Sequence, residues 1–421
     1  MPRLLKETLF TEKLYKLIPL IVLIVLALYL LYSGFITVNK SETYVSDEIY
    51  YVTAAKNIGI RIFNINVTKI PYPEYKGIDF SENLNLEHPP LAKYLMFFSM
   101  LIFGDNPFAW RIPGVILHIL TMISIYYAVK KLANEASAIV AVFIVAFDPI
   151  LKNLGYIAML DIYVAFFLAA SFTALVYRKS LLAYAIFGLA LASKYTALFA
   201  LPAFLLITYF EERKLRRLPM YIIVTALTYV AVWTPFIKYF SMKEGSIYGG
   251  LLRVYEEHLS AMRWHLSSKG GHSYSSPPWG WLFNYKVWPI YGGLSVHSNI
   301  YINTVFIILP LIYALFGRDV ETRRYYPYFW FISSFIGFMT IYMLGSTTQF
   351  IFYSSTYEPA IAAGIGALLI PSLDSLIEKI EERLHRGRRG HSQMNVNHYV
   401  ILGLSQLFLM KLLKLKSSIA F

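Results

Sequence analysis

The chain has 421 residues, of which 57% are hydrophobic and 15% are charged, with a formal net charge of +13 and no cysteine. Soluble domains carry roughly 25% charged residues, so this composition excludes a soluble globular protein. The lack of cysteine excludes disulfides, thiolate metal sites and cysteine nucleophiles. The basic residues lie in short clusters between apolar runs, a pattern that membrane orientation produces and that argues against nucleic-acid binding.

The first apolar run covers residues 17–38 and follows a basic segment, 1–16, that we expect in the cytoplasm. It is too long for the core of a signal peptide and lacks a small-residue cleavage site, so it predicts a retained first span. The segment after it, 39–110, is then a large external loop. Within that loop LAKYLMFFSMLIFG, residues 91–104, is short for a span and predicts a helix at the membrane surface.

Further apolar runs follow, and basic residues close each run that should end in the cytoplasm. Two of these runs are short and meet at ALASKYT, residues 190–196, which predicts a broken helix or a re-entrant turn. A second large external loop is expected at 240–298. The later spans are predicted at 111–129, 136–151, 158–177, 181–193, 195–210, 219–239, 299–316, 326–344 and 350–370. The fold class is therefore an all-α polytopic membrane protein with about 10 to 11 transmembrane helices.

Residues 17–372 form the predicted transmembrane unit, and a basic segment, 373–421, follows it. Its last part, NHYVILGLSQLFLMKLLKLK, is apolar enough for a final span, but its lysines would then lie outside. An amphipathic helix on the inner surface is the alternative.

The ionisable side chains of interest gather in the external loops and at the outer ends of spans. Asp47 and Glu48 are either solvated acids at the start of a helix through YYVTAAKNIG, or one acid facing a reacting hydroxyl beside one holding a basic partner. Adjacent helical side chains point about 100° apart, so the two acids cannot serve one function. His88 precedes Pro89 and Pro90, which start a helix, so its imidazole either caps that helix or donates to an anion.

Three further charged residues lie where spans begin or break. Arg111 is either an interfacial arginine or a phosphate ligand, for which its planar fork is suited. Asp161 lies near hydrocarbon depth, where an acid is costly and tends to face a polar partner. Lys194, in the broken-helix segment, is the nearest kind of partner, and a structural ion pair between the two is the simpler interpretation.

The second loop contains GGHSYSSPPWGWLFNYKVWPIYG, residues 270–292, with His272, Trp279 and Trp281. Interfacial anchoring explains tryptophans there, and stacking on sugar rings explains them equally well. No pair of histidines has the helical spacing of a metal site, so the sequence supports no metal ligand set. It requires no cofactor and leaves dependence on a divalent metal open.

Together these motifs resemble the protein O-mannosyltransferases, membrane glycosyltransferases of the C-type (GT-C) superfamily that use a polyprenyl-phosphate sugar donor. The second loop is far too short for the sugar-binding-type domain of eukaryotic members, so the chain resembles the compact prokaryotic form. The matching segments occur in family order over most of residues 40–370: SDEIYY, EHPPLAKY, WRIPGV, IAMLDIYVAFF, GLALASKYTALFALPA, HSYSSPPWGWL and FIFYSSTYEPAIAAGIG.

The resemblance implies that Asp47 is the catalytic base, Glu48 its supporting acid and Arg111 a contact of the donor phosphate. Such transfer needs a positioned carboxylate for the acceptor hydroxyl and cations for the leaving phosphate, and a single displacement inverts the anomeric carbon. The other candidates are, for donor-phosphate binding, His88, Lys194 and His272, and, for support or contact with the sugar or acceptor, Asp161, Trp279 and Trp281.

The implied function is transfer of mannose from polyprenyl (dolichyl) phosphate mannose to Ser or Thr hydroxyls of proteins, at an extracytoplasmic site of a multi-pass plasma-membrane protein. A lipid or glycan acceptor is an alternative within the same chemistry. A transporter or flippase would place ionisable residues in mid-span and carry paired half-repeats, whereas this sequence has one broken pair without a counterpart. The sequence leaves open the sugar, the lipid length and the oligomeric state, a dimer included.

Overall fold

The structure, a computed structural model, describes residues 2–316 and 321–370, with side chains from residue 17 onward except at 313 and 316. The predictions for the basic segment 373–421 and its final span or surface helix lie outside the described residues.

The described chain is built almost wholly of helices, most of which coincide with apolar runs of the sequence. In chain order they are α1 (Pro2–Val38), α2 (Glu48–Arg61), α3 (Leu91–Phe103), α4 (Pro107–Leu132), α5 (Glu135–Phe147), α6 (Pro149–Leu154), α7 (Asp161–Val176), α8 (Ser180–Ser193), α9 (Leu201–Glu212), α10 (Leu218–Lys243), α11 (Ile247–Ser267), α12 (Pro278–Trp281), α13 (Ile300–Phe316), α14 (Tyr326–Met343) and α15 (Glu358–Ile370). Short 3₁₀ helices cover Tyr195–Ala200, Leu215–Arg217, Thr322–Tyr325 and Ile351–Thr356. The all-α fold class predicted from the sequence is confirmed.

The start of α4 shows how local sequence sets these boundaries. The Asn106 side chain accepts a hydrogen bond from the Ala109 N–H at 2.9 Å, and Pro107 occupies the first helical position, where its missing N–H costs nothing. Lys130 and Lys131 lie in the last turn, where cations favour the helix dipole. These signals fix the helix so that Arg111 lies in its first turns.

Three described helical segments are long and apolar enough to cross a membrane, namely Leu17–Val38, Pro107–Leu132 and Leu215–Lys243. Shorter apolar helices accompany them: Leu91–Phe103, Glu135–Phe147, Asp161–Val176, Ser180–Ser193, Ile300–Ile312 and Glu358–Ile370. The long helices expose large apolar side chains, such as Leu28 at 60% and Leu227 at 65%. A water-facing surface rarely exposes such continuous apolar area, so these faces meet lipid, and the chain is a membrane protein.

The helix α7 lies at the centre of the molecule. Its sequence, DIYVAFFLAASFTALV, is apolar on all sides, and none of its residues is exposed. A helix that is hydrophobic all round is buried by its neighbours, here chiefly α4 and α8. The first residue of this buried helix, Asp161, is therefore carried into the protein interior.

The predicted break at ALASKYT is present. The helix α8 ends at Ser193, Lys194 is extended with φ −161° and ψ 140°, and a 3₁₀ turn leads into α9. Pro202 lies in the first turn of α9, where proline is compatible with a new helix but not with a continuous one. Lys194 is therefore an extended residue at the junction, and its backbone N–H still bonds to the Ala190 carbonyl oxygen at 3.2 Å.

The two large loops lie on the same side of the helices and contact each other. The first contains α2 and α3, and the second contains α11, α12 and the strands β1 (Trp288–Pro289) and β2 (Ser295–Val296), which pair antiparallel. His265 of the second loop lies 2.9 Å from the carbonyl oxygen of Glu87 in the first. The 21-residue helix α11 was not predicted, although Arg253 and Glu257 form an ion pair at helical spacing along it.

Candidate active site

The adjacent acids at the start of α2 lie in different environments. Glu48 is fully buried, and its carboxylate accepts hydrogen bonds from the backbone N–H groups of Val45 and Ala158, both at 2.8 Å. It also forms a bidentate pair with Arg111, whose Nε and Nη2 each lie 2.8 Å from a carboxylate oxygen. Glu48 therefore has no oxygen free for a substrate.

Arg111 is equally occupied. Besides its pair with Glu48, it donates from Nη1 to the carbonyl oxygens of Val38 and Ser41, both at 2.7 Å, and from Nη2 to that of Thr43 at 2.8 Å. A guanidinium has five N–H donors, and all five are used. This geometry does not support the expected contact between Arg111 and the donor phosphate. Instead, Arg111 connects the end of α1 to the start of α2.

Asp47 is the acid that remains accessible. It occupies the N-cap position of α2, yet its side chain makes no capping hydrogen bond, and it is half-buried beside Lys194 and Asp161. Burial raises the pKa of Asp47 to about 6, Asp161 adds to this rise, and Lys194 and a hydrogen bond from Tyr51 oppose it. A carboxylate with this pKa is suited to accept a proton near neutral pH.

The expected ion pair between Asp161 and Lys194 is present. Lys194 Nζ lies 2.7 Å from Asp161 Oδ1, and the two side chains are 4% and 1% exposed. The ammonium also lies 4.3 Å from the ring centroid of Tyr353 and 5.5 Å from that of Phe352. The first residue of α7 and the break after α8 thus place a cation beside Asp47.

An apolar cavity of about 420 Å³ adjoins this pair. Its polar wall includes His88, Lys194 and His265. Most of the remainder is apolar and comes from the 3₁₀ turn after Lys194, α11, α14 and the residue before the 3₁₀ helix Ile351–Thr356: Leu198, Phe199, Met262, Trp264, Leu266, Phe338, Ile341 and Phe350. A second apolar cavity, also of about 420 Å³, shares Leu198 and Phe199 with the first. The pattern of an apolar pocket with a few convergent polar groups is typical of a ligand site.

His88 and His265 face each other across this cavity wall with ring centroids 5.0 Å apart. Burial lowers the pKa of both, and His88, whose nearest charged neighbours include Lys194, is lowered well below its ordinary value. Both imidazoles are therefore neutral at neutral pH. Within the part of the chain that the structure describes, His88 Nδ1 is buried without a hydrogen-bond partner, which leaves it available to a ligand.

The aromatic candidates of the second loop separate into different roles. Trp281 is fully buried, donates its Nε1 hydrogen to Ser276 and packs against Phe338, so it presents no face to a sugar. Trp279 is half exposed and packs against Tyr342, with ring centroids 5.3 Å apart.

His272 is exposed and stacks on Trp288, with ring centroids 5.3 Å apart. Trp288, a third tryptophan of this segment, is the one that donates a hydrogen bond to Ser46, next to the acids.

Tyr51 and Tyr353 were not predicted as site residues, and His265, one of the ionisable groups of interest in the second loop, was given no role. Tyr51 lies one helical turn after Asp47, a spacing that would have found it. Tyr353 and His265 come from segments whose approach depends on the tertiary fold. Among the residues that the structure describes, no group of three or more His, Asp or Glu side chains is arranged to hold a metal ion.

Comparison with known proteins supports the resemblance read from the motifs. The family model described as dolichyl-phosphate-mannose-protein mannosyltransferase matches residues 87–239. The polyprenol-phosphate-mannose–protein mannosyltransferase of Corynebacterium glutamicum is 25% identical over 325 aligned positions, covering 60% of this chain and 60% of that protein. The enzyme of the same name from Mycobacterium tuberculosis is 31% identical over 91 residues, 21% of this chain and 17% of its own length. The chain thus spans about three fifths of the first of these relatives.

Solved structures show the same fold at low identity. ArnT from Cupriavidus metallidurans, bound to undecaprenyl phosphate, superimposes with a TM-score of 0.56 and 14% identity, covering 90% of this chain and 66% of ArnT. The oligosaccharyltransferase of Archaeoglobus fulgidus gives a TM-score of 0.54 and 12% identity, covering 94% of this chain and 54% of that one. These similarities establish the GT-C fold.

Proposed function

From the membership of residues 87–239 in the protein O-mannosyltransferase family and the GT-C fold of the whole, we propose that this chain is a membrane glycosyltransferase. It transfers a mannosyl residue from polyprenyl (dolichyl) phosphate mannose to Ser or Thr hydroxyls of proteins. Residues 17–372 form the catalytic domain. The donor class and the acceptor class follow the names of the relatives, whereas the residue roles follow the geometry of the site.

One observation carries the proposal. Of the two acids at the start of α2, Glu48 accepts four hydrogen bonds, whereas Asp47 lies within electrostatic range of Lys194, which lines an apolar cavity. Glu48 thus stabilises the turn between α1 and α2, and the reacting carboxylate is that of Asp47. Lys194 lines the apolar cavity, and its charge acts on Asp47, so a proton acceptor and a positive charge lie near one pocket.

Asp47 acts as the general base in a single displacement. The acceptor hydroxyl oxygen attacks the anomeric carbon while its proton passes to the Asp47 carboxylate. The bond between the anomeric carbon and the phosphate oxygen breaks, and its electron pair leaves with the polyprenyl phosphate. A β-linked donor then gives an α-mannoside, because one displacement inverts the configuration.

Lys194 stabilises the charge that develops on the leaving phosphate. Asp161 and the Tyr353 ring fix the ammonium within a largely apolar surrounding, where a preorganised cation interacts strongly with an oxyanion. His88, with its unpartnered nitrogen, and exposed His272 remain candidates for contacts to the phosphate. Arg111 acts indirectly in this scheme by holding Glu48 and the turn that carries Asp47.

The two adjoining apolar cavities accommodate the start of the lipid. Their shared wall contains Leu198 and Phe199, four and five residues after Lys194 in the chain. A phosphate held at Lys194 would therefore lie at the mouth of an apolar path, as a polyprenyl phosphate requires. We place this site on the extracytoplasmic face of the plasma membrane, because basic residues cluster at the other ends of the helices.

The test uses the purified chain in detergent with radiolabelled polyprenyl-phosphate mannose and a Ser/Thr-rich peptide. Wild type should label the peptide, and Asp47→Asn should lower the rate by about 10²–10⁴-fold, the range expected for loss of a general base. Asp79→Asn, an exposed acid of the same loop, is the matched control and should retain full activity.

Each alternative outcome is informative. Label on a lipid or glycan but not on the peptide would keep the chemistry and overturn the protein acceptor. Full activity of a folded Asp47→Asn variant would overturn the assignment of the base.

A further inference from the structure

Trp288 connects the second loop to the turn at Ser46 and Asp47, just before α2. Its indole Nε1–H donates to Ser46 Oγ at 3.1 Å, although the two residues are 242 positions apart in the chain. Ser46 directly precedes Asp47. Among the described residues, Trp288 is the only side chain of the second loop that forms a hydrogen bond with this serine.

Ser46 holds an unusual backbone conformation. Its φ is +53°, in the left-handed region that residues with a side chain other than glycine seldom adopt. The next residue, Asp47, returns to φ −76° and starts α2 without using its carboxylate as a cap. The left-handed step therefore sets the direction in which Asp47 leaves the backbone, and some interaction must hold that step in place.

Trp288 is itself held on several sides. His272 stacks on its ring at 5.3 Å, and Tyr274, Phe350 and Phe352 pack against it at 5.6, 5.0 and 5.1 Å between centroids. A ring packed in this way cannot turn freely, so the direction of its N–H is fixed. Phe352 also lies under the Lys194 ammonium, so one aromatic cluster supports both the base and the cation.

We propose that Trp288 is a positioning residue for Asp47, acting through the hydrogen bond to Ser46 that maintains the left-handed turn before the base. His272 contributes by stacking on Trp288, a role distinct from the phosphate contact expected from the sequence. The inference rests on the proposed function, since it assumes that Asp47 is the reacting acid. In this proposal the second loop contributes to the active site by fixing the position of Asp47.

The test compares Ser46→Ala, Ser46→Gly and Trp288→Phe in the mannosyl-transfer assay. Each should lower kcat by about tenfold or more, because small misplacement of a reacting group is costly. The KM for the donor should change less than twofold. The acidic limb of the pH–rate profile should shift, because the surroundings of Asp47 change, whereas a merely structural role would leave that limb in place.

The glycine variant separates two explanations. Glycine adopts positive φ without strain, so it keeps the turn accessible while it removes the hydroxyl. Full activity of Ser46→Gly, together with loss in Ser46→Ala, would overturn the role of the hydrogen bond. The Ser46→Ala/Trp288→Phe double variant should lose no more than the worse single variant, since both remove the same bond.

Controls keep the inference separate from the proposed function. Tyr285→Phe, an exposed aromatic of the same loop, should behave as wild type. If Trp288→Phe does not fold, the two Ser46 variants decide alone. Unchanged kcat and pH profile in folded Ser46 and Trp288 variants, while Asp47→Asn is inactive, would overturn the positioning role. Lack of transfer by wild type would instead overturn the proposed function.

Discussion

At the scale of single residues, the site depends on two neighbouring carboxylates that differ in their hydrogen bonds. Arg111 and two backbone N–H groups donate hydrogen bonds to the Glu48 carboxylate. Asp47 makes no capping hydrogen bond and interacts electrostatically with Lys194. Removing one partner of a buried ion pair typically costs about 3–5 kcal/mol. A change at Glu48 should therefore act through folding, and a change at Asp47 through chemistry.

The raised pKa of Asp47 predicts a pH dependence of transfer. Burial favours the protonated acid and sets the pKa at about 6, so the base is lost as pH falls through about 6. Below that pH, kcat/KM should fall about tenfold per unit. Burial lowers the pKa of His88 and His265, so neither should add a step near pH 6 or above.

A pH–rate series with wild type, at saturating peptide, measures this dependence. Asp47→Glu retains a carboxylate and should keep an acidic limb, displaced from that of wild type, if it turns over at all. A flat profile from pH 5 to 8 would contradict the assignment of Asp47 as the base.

The sequence left two interpretations of the acids open, and the pair between Glu48 and Arg111 fits the one in which an acid holds a basic partner. The role of Asp47 as the base stays a prediction. Sequence patterns also paired Asp161 with Lys194 from charge and depth. They did not reveal that all five Arg111 donors are used, since three of the acceptors are backbone carbonyls of residues 38–43. Carbonyls carry no signal in the sequence. For the same reason, Trp281 and Trp288 could not be assigned to core and site before the fold was known.

At the scale of elements, the start of α7 and the break after α8 combine to build the cation site. The helix α7 is apolar all round and buried, so its first residue, Asp161, has no access to bulk water. The break leaves Lys194 extended and free to meet it. Each element was predictable from sequence, because hydrophobic periodicity and chain breaks are local signals.

Variants of the Asp161–Lys194 ion pair should change the free energy of unfolding and the catalytic rate in different ways. Lys194→Met should lower kcat by about 10²–10³-fold, as loss of one preorganised charge does. It should also lower the free energy of unfolding by roughly 3–5 kcal/mol, because Asp161 is left buried without its partner. Lys194→Met/Asp161→Asn should regain much of the stability and none of the activity.

Thermal unfolding in detergent and turnover of the donor measure the two effects. Lys130→Met, in an exposed pair with Glu135, is the matched control and should change neither by much. Recovery of activity in the double variant would show that the pair is purely structural.

At the scale of the whole molecule, the site and a basic cluster lie at opposite ends of α7. This helix has 16 residues, about 24 Å, and runs from Asp161 to a point next to Arg178. Arg178 and Arg323 both pair with Glu211, at 2.7 and 2.6 Å. Basic ends of spans remain in the cytoplasm, so the two large loops should face outward.

The lack of cysteine makes this orientation directly measurable, because a single introduced thiol is the only one in the chain. In intact cells, Asp79→Cys in the first loop should react with a membrane-impermeant maleimide. Lys214→Cys, between α9 and α10, should react only after the membrane is opened. The reverse pattern would contradict the extracytoplasmic placement of the site.

The junction that Arg111 makes also couples the site to its lipid surroundings. The guanidinium joins the last residue of α1, Val38, to the carboxylate next to the base, while α1 exposes apolar side chains along much of its length. Bilayer thickness acts on the tilt of such a helix through hydrophobic mismatch. Because all five Arg111 donors are used, a change of tilt in α1 would move the turn that carries Asp47. The catalytic rate would therefore depend on acyl-chain length in the host membrane.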